Sequence, residues 1–318
     1  MKNKLCVENN IYFSYTGKRL DMRGLRTASG AITDKDTEDL VSALDDYRSF
    51  GINTITVFCQ GSNGGYCQAF APNGRSMDRN IENRLEKIIN AAEEKDMVVV
   101  VGIFYQRSDW LESDNAYMRA TELIAKKMRD KPNVAINIAN EHNSAHWNGC
   151  PYAIQNPDEL VNLCAVVKNT VPELLVGAGG YDTKKNLQIV KSDFVDVLWF
   201  DDQEYHVTMQ QYKDNNAAKP HVNVEIFGQS SFGVATLQDG TVIQGVWPDK
   251  VNSQARGKQE FYNGISTARN NDGFYLFGHF QAWMQGKSYG LDNRYDVAGY
   301  GTIDDPGIRW YLEAVRKA

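Results

Sequence analysis

The stretch NVAINIANEHN, residues 133–143, is apolar at nearly every position from Val134 to Ala139 and then stops at an amide and a carboxylate, Asn140 and Glu141. A strand with one solvated face alternates polar and apolar residues, whereas a strand covered on both faces does not. The run therefore reads as a strand buried on both sides. A carboxyl group at the tip of such a strand is costly unless it is paired or put to use, so the end of this strand marks a place to look for chemistry.

Runs of the same kind recur along the chain, each followed by a segment with helical spacing. RLDMRGL (19–25) precedes Leu40, Val41, Leu44 and Tyr47, and NTITVF (53–58) precedes Ile81, Leu85, Ile88, Ile89 and Ala92. MVVVVGIF (97–104) precedes Tyr117, Ile124 and Met128, while residues 133–139 precede Leu160, Leu163, Cys164 and Val167. ELLVGA (173–178) and FVDVLWF (194–200) have shorter helical segments behind them. HVNVEIF (221–227) is followed by a helical pattern near 254–268, and GFYLFGHFQAW (273–283) by PGIRWYLEAVRK (306–317). Eight βα units closing on themselves predict an α/β fold, a (β/α)8 TIM barrel, occupying residues 1–318 as a single domain. An open doubly wound sheet is the rival. No GxGxxG follows the first strand, and GAGG at 177–180 lacks the spacing and reads as a flexible turn.

IYFSYTGKRL (11–20) predicts an N-terminal hairpin about Thr16-Gly17, placed to plug the barrel floor. VATLQDGTVIQGVW (234–247) predicts a second hairpin, turning at Asp239-Gly240, in the connection after strand seven.

With 318 residues, 42% hydrophobic and 23% charged, the chain has the composition of a globular protein with a large core. A formal net charge of -6 without basic clusters argues against a nucleic acid partner. No stretch approaches the ~20 apolar residues of a membrane span, and the N-terminus MKNKLCVENN has no apolar export segment. The expectation is a cytoplasmic chain, or one exported after removal of a leader; nothing in the sequence sets its oligomeric state. The five cysteines have no zinc spacing and read as reduced thiols, with a Cys59 to Cys67 closure as the alternative.

On a barrel the chemistry belongs just past the strand ends. Strand four ends at Asn140-Glu141, and strand seven carries Glu225 close to its end. Arg23 and Arg26, at the end of strand one, are the cations within spatial reach. Two carboxyl groups facing across one cavity suit glycosidic cleavage, in which one donates a proton to the leaving oxygen and the other attacks the anomeric carbon or activates water.

NIANEHN, VNVEIFG and FQAWMQG together resemble the pattern of the large clan of retaining (β/α)8-barrel glycoside hydrolases (clan A type), of which family 5 is the best-known relative. Only those three segments match locally, although the likeness spans the barrel in element order. The resemblance implies Glu141 as acid/base and Glu225 as nucleophile, Asn140 as a partner of the sugar 2-hydroxyl, and Trp283 as the platform under the reacting ring. It offers Tyr205 and His206 as substrate contacts near strand six, where the match is loose. Two positions depart from family 5: Thr56 stands on strand two where relatives commonly carry arginine, and no proline follows Asn140-Glu141.

Arg23, Trp147 and Trp247 complete the expected substrate-binding set; the two tryptophans, with Trp110, Tyr66, Tyr105 and Tyr289, lie in loops after strands, where aromatic faces suit sugars. The expected substrate is a β-linked oligo- or polysaccharide, hydrolysed by retaining double displacement without a metal or organic cofactor. Other readings remain. His142 and His146 follow Glu141 in the wrong order for a metalloprotease helix. Asp201, Asp202 and Glu204 read as a solvated acidic loop, with a divalent ion site or a sugar-hydroxyl contact as the rival; an ion there would make the barrel a metal-dependent isomerase or lyase. A non-catalytic carbohydrate-binding barrel is the third. His279, inside an apolar strand, reads as a core histidine, and Trp199 and Trp310 as packing residues.

Overall fold

The computed structural model describes residues 4–62, 66–107, 109–201, 205–215, 218–226, 233–236, 242–246, 263–279 and 308–318. Three short strands open the chain, β1 (Cys6–Glu8), β2 (Tyr12–Tyr15) and β3 (Lys18–Leu20), in an antiparallel sheet of order β1-β2-β3. The β2–β3 turn places Thr16 at φ 53° and Gly17 at φ 74°. Two successive positive φ values give the turn that matches strand twist, as the Thr16-Gly17 pair predicts.

Eight parallel strands then close a barrel: β4 (Arg23–Arg26), β5 (Thr54–Phe58), β6 (Val98–Tyr105), β7 (Val134–Asn140), β8 (Leu175–Ala178), β9 (Val197–Phe200), β10 (His221–Ile226) and, after the antiparallel hairpin β11 (Gly233–Thr236) and β12 (Val242–Val246), β13 (Phe274–Gly278). Their order, β10-β13-β4-β5-β6-β7-β8-β9, follows the chain around the ring apart from that excursion. The predicted first strand is split: 18–20 belongs to the hairpin and only 23–26 to the barrel.

The helices pack on the outside because their apolar residues fall three and four apart. In α2 (Arg79–Glu93) Ile81, Leu85, Ile88, Ile89 and Ala92 are buried, and Asp78 Oδ1 accepts from the amides of Asn80 and Ile81 to cap the first turn. Thr33 caps α1 (Asp34–Ser49), and Asn156, with Pro157 at the first helical position, starts α4 (Pro157–Thr170). Between them α3 (Asp114–Met128) buries Tyr117, Ile124 and Met128. α5 (Thr183–Ile189), α6 (Tyr205–Asp214), a helical stretch at 263–269 and the C-terminal helix Arg309–Lys317 complete the covering.

The barrel interior is filled from below. Phe13 of the N-terminal hairpin is fully buried in one cluster with Val98, Val100, Ala135, Val197, Trp199, Val222, Tyr275 and Phe277. Its ring stacks 6.5 Å from that of Trp199 and lies 5.0 Å from Tyr275. Removing each such side chain from water contributes about 1.5–3 kcal/mol, so the hairpin is part of the core and leaves only the opposite, carboxyl end of the strands open. The GAGG segment is no flexible turn: a Cβ on Gly177 would stand 1.8 Å from Val197 O. Only glycine lets β8 and β9 approach this closely.

Candidate active site

Parallel strands deliver their last residues to the same end of the barrel, and ladder register decides which of them become neighbours. Tyr105 on β6 pairs with Asn140 on β7, so the next residues along, Gln106 and Glu141, stand side by side. Leu25 on β4 pairs with Gly278 on β13, which sets Arg26 beside His279. Asp201 follows β9, and Glu225 lies near the end of the adjacent β10.

Arg26 is the hub. Its side chain is fully buried, and Nη1 donates to Glu225 Oε2 at 2.5 Å and to Asp201 Oδ1 at 3.2 Å. Nη2 donates to Asn140 Oδ1. The rings of Phe58 and Tyr105 lie 5.8 and 5.9 Å from the guanidinium carbon. On the other side of Glu225, Oε1 lies 2.8 Å from His279 Nδ1. Glu141 Oε2 accepts from the carboxamide of Gln106.

These surroundings push the two glutamates apart in acidity. Burial raises Glu141, the charge of Glu225 raises it further, and Arg26 and Gln106 offset only part of this, leaving it at about 7. Burial also acts on Glu225, but His279 and Arg26 outweigh it and hold that carboxyl at about 2. Between about pH 2 and 7 one carboxyl is therefore ionised while its neighbour keeps a proton, which is the division of labour that acid and nucleophile need. Asp201 is raised well above the ordinary carboxylate range, chiefly by burial, then by the charges of Glu225 and Glu141 against the opposing pull of Arg26.

Glu141 adopts φ 41° and Gln106 φ 43°, the left-handed region that residues with a Cβ seldom occupy. Such backbone persists where surrounding contacts over-determine it. At Glu141, Trp147 and Ser144 supply them: the Trp147 indole N–H lies 3.1 Å from both Asn140 O and Glu141 O, and Ser144 N donates to Glu141 O at 2.8 Å.

Of the residues expected from sequence, the structure brings Asn140, Glu141 and Glu225 together. Asn140 Nδ2 is buried without an acceptor among the described residues, which leaves one donor for a ligand hydroxyl. Arg23 does not reach the cluster. It begins β4 at the closed end of the barrel, where its guanidinium donates to Asp21 Oδ2 at 2.7 Å and to Val315 O at 3.3 Å. Trp147 is 2% exposed and presents no face to a ligand, because its role as backbone clamp places it beneath Glu141. Trp247, Trp283, Asp202, Glu204 and the side chains of Tyr205 and His206 lie outside the described residues. Cys59 and Cys67 are free thiols, and Cys67 Sγ donates to Cys59 O at 3.2 Å.

Three site residues escaped the sequence reading. His279 is no inert core histidine, since it contacts Glu225. Asp201 is buried rather than a solvated acid, and Gln106 drew no attention. The signal was available for each: all three stand on the first position after a barrel strand. Thr56 contributes no charge on strand two, and the arginine sought there enters from strand one instead, as Arg26.

Glu141, Asp201 and Glu225 each offer an oxygen, and these oxygens all lie within 4.8 Å of one another. The spacing would suit a cation, but Arg26 Nη1 already bridges two of the three groups and supplies positive charge between them.

The family model described as Cellulase (glycosyl hydrolase family 5) matches residues 13–311. No curated protein sequence matches the chain. Among solved structures, the β-1,4-D-mannanase from Cryptopygus antarcticus aligns with a TM-score of 0.61 at 17% identity, covering 99% of this chain and 95% of its own. A glycoside hydrolase family 5 protein from Bacteroides vulgatus gives 0.63 at 14% identity over 99% of this chain and 69% of that one. The endo-1,4-β-mannanase from Rhizomucor miehei gives 0.57 at 13% over 86% and 90%. At these identities the likeness is one of fold.

Proposed function

Because the chain belongs to glycosyl hydrolase family 5 and is a glycosidase, we propose that it cleaves a β-linked oligo- or polysaccharide with retention of configuration, Glu225 acting as nucleophile and Glu141 as acid/base. The observation that carries this reading is the split in acidity between two carboxyl groups whose nearest oxygens are within 4.8 Å. Retaining enzymes keep their carboxyl groups about 5–5.5 Å apart, whereas about 6.5–9.5 Å is needed to admit water between sugar and base.

In the first step Glu225 Oε attacks the anomeric carbon and Glu141 gives its proton to the departing glycosidic oxygen. A glycosyl ester of Glu225 forms and the leaving sugar departs as an alcohol. In the second step Glu141, now ionised, takes a proton from water, which attacks the anomeric carbon and frees Glu225. Arg26 and His279 hold Glu225 ionised and aimed, and Asn140 Nδ2, without an acceptor among the described residues, is available to meet the 2-hydroxyl. Bonds to that hydroxyl that strengthen in the transition state add to the rate.

The names of the mannanase structures favour β-1,4-mannan as the first substrate to test, beside β-1,4-glucan and a series of aryl β-glycosides. NMR of the products tests the mechanism: the β-anomer forms first under retention, and initial release of the α-anomer would overturn it.

A further inference from the structure

Resting on Glu141 as the proton donor, we infer that Gln60 is a positioning residue for it, acting through the backbone that aims Gln106. β5 ends at Phe58, opposite Gly102, whereas β6 runs on to Tyr105. Ile103 to Tyr105 therefore extend past the end of that neighbour. There a side chain does what the strand no longer does: Gln60 Oε1 accepts from Tyr105 N at 2.8 Å. The buried amide of Tyr105 is thereby satisfied.

The next residue is Gln106, which has φ 43° and whose carboxamide donates to Glu141 Oε2. A left-handed residue with a Cβ persists only where its neighbours are fixed, and both are. Gln60 holds Tyr105 on one side, and Tyr117 Oη donates to Arg107 O at 3.3 Å on the other. Gln60 is anchored in turn. Cys67 N donates to Gln60 O and Gly61 N to Phe58 O, each at 3.0 Å. Two residues on, Ser62 Oγ lies 2.7 Å from Ser29 Oγ, and both serines are fully buried.

At 1% exposure Gln60 does not meet a substrate, so its contribution to the reaction is indirect. Glu141 is thus held twice. Trp147 and Ser144 fix its backbone, and the chain from Gln60 through Tyr105 to Gln106 fixes the donor that faces its carboxyl group. Gln106 favours the ionised Glu141 that serves as base in the second step. Removing the Gln60 acceptor leaves the Tyr105 amide buried and unpaired, a cost relieved when the backbone at Gln106 shifts. That shift draws the carboxamide away from Glu141.

The test follows the alkaline limb of kcat/KM on β-1,4-mannopentaose and β-1,4-glucopentaose for Gln60→Leu and Gln60→Asn, the second keeping a carboxamide one carbon too short to reach Tyr105. Both are expected to move the limb upward by about one pH unit, in the direction of Gln106→Leu. In a Gln106→Leu background they should add no further shift, because the path is already cut. The other titratable and charged groups around Glu141 among the described residues, Glu225, Asp201, Arg26, Tyr66, Tyr105 and Tyr181, are unchanged in every variant. If Gln60→Leu does not fold, Gln60→Asn decides. A lower rate with the limb in place, or a further shift in the Gln106→Leu background, overturns the role of Gln60 alone. A limb that Gln106→Leu itself leaves in place, or a wild type that cleaves neither pentaose, overturns the reading of Glu141 as well.

Discussion

Arg26 Nη1 donates to Glu225 Oε2 at 2.5 Å, although the two residues stand 199 positions apart in the chain. The same guanidinium reaches Asp201 and Asn140, so one buried cation sets the geometry of three strand ends at once. Arg26→Ala is expected to lower kcat/KM about 100-fold or more, and Arg26→Lys to recover little, because an ammonium cannot bridge three acceptors in one plane. Loss of the cation also weakens the acidity of Glu225, so the acid limb of the pH profile should move to higher pH. A limb that stays in place would deny Arg26 this role.

Replacing either glutamate separates the two roles. Glu225→Gln should reduce hydrolysis by about 10⁴-fold or more, since no nucleophile remains. Glu141→Ala should slow substrates with sugar leaving groups far more than 2,4-dinitrophenyl glycosides, whose departure needs no proton. Equal slowing of both substrate types would remove Glu141 from the acid's position.

Gln106 donates to Glu141 and favours its ionised form. Gln106→Leu removes that donor, so the acidity of Glu141 should weaken and the alkaline limb of kcat/KM, which reports its deprotonation, should shift upward. A variant that merely loosened the loop would lower the rate without moving the limb.

The two glutamates bear oppositely on stability. Glu141 rises from 4.5 to about 7 on folding, so the native state holds a proton the unfolded chain has lost, and stability falls as pH climbs through that window. Glu141→Gln should therefore melt above wild type at pH 8, with the gain vanishing below about pH 4.5. Glu225 drops from 4.5 to about 2, and its contribution is present above 4.5 and lost as pH falls toward 2. Melting curves across pH for wild type and Glu141→Gln check the sign.

Two members of the acidic trio at the barrel mouth, Asp201 and Glu225, are bridged by Arg26, so activity should not depend on a divalent ion. Activity after exhaustive chelation is expected to match the untreated enzyme. A loss restored by one added metal would instead favour the isomerase or lyase chemistry that three carboxylates could also support.

Much of this protein is written in local pattern. Continuous apolar runs such as residues 134–139, spaced by segments with one apolar face, determine eight parallel strands under helices, since burial on both faces leaves no other arrangement for so many strands. Asn140-Glu141 and Glu225 announce themselves because a carboxyl at the tip of a buried strand is anomalous wherever it occurs. Arg23 and Arg26 look alike in sequence, three residues apart on one strand. Only the fold separates them, because β4 runs from the closed floor to the open mouth, leaving Arg23 with Asp21 at one end and Arg26 among three acceptors at the other. Trp147, expected at the substrate, is buried for a similar reason: a side chain's exposure depends on what folds over it, not on its lying in a loop. His279 became a partner of Glu225 through the pairing of β13 with β4 and β10. The sequence by itself determined the barrel and the existence of a carboxylate pair, because burial and periodicity act over neighbouring residues. Which groups tune that pair was decided by strand register and closure, which join residues that no local pattern connects.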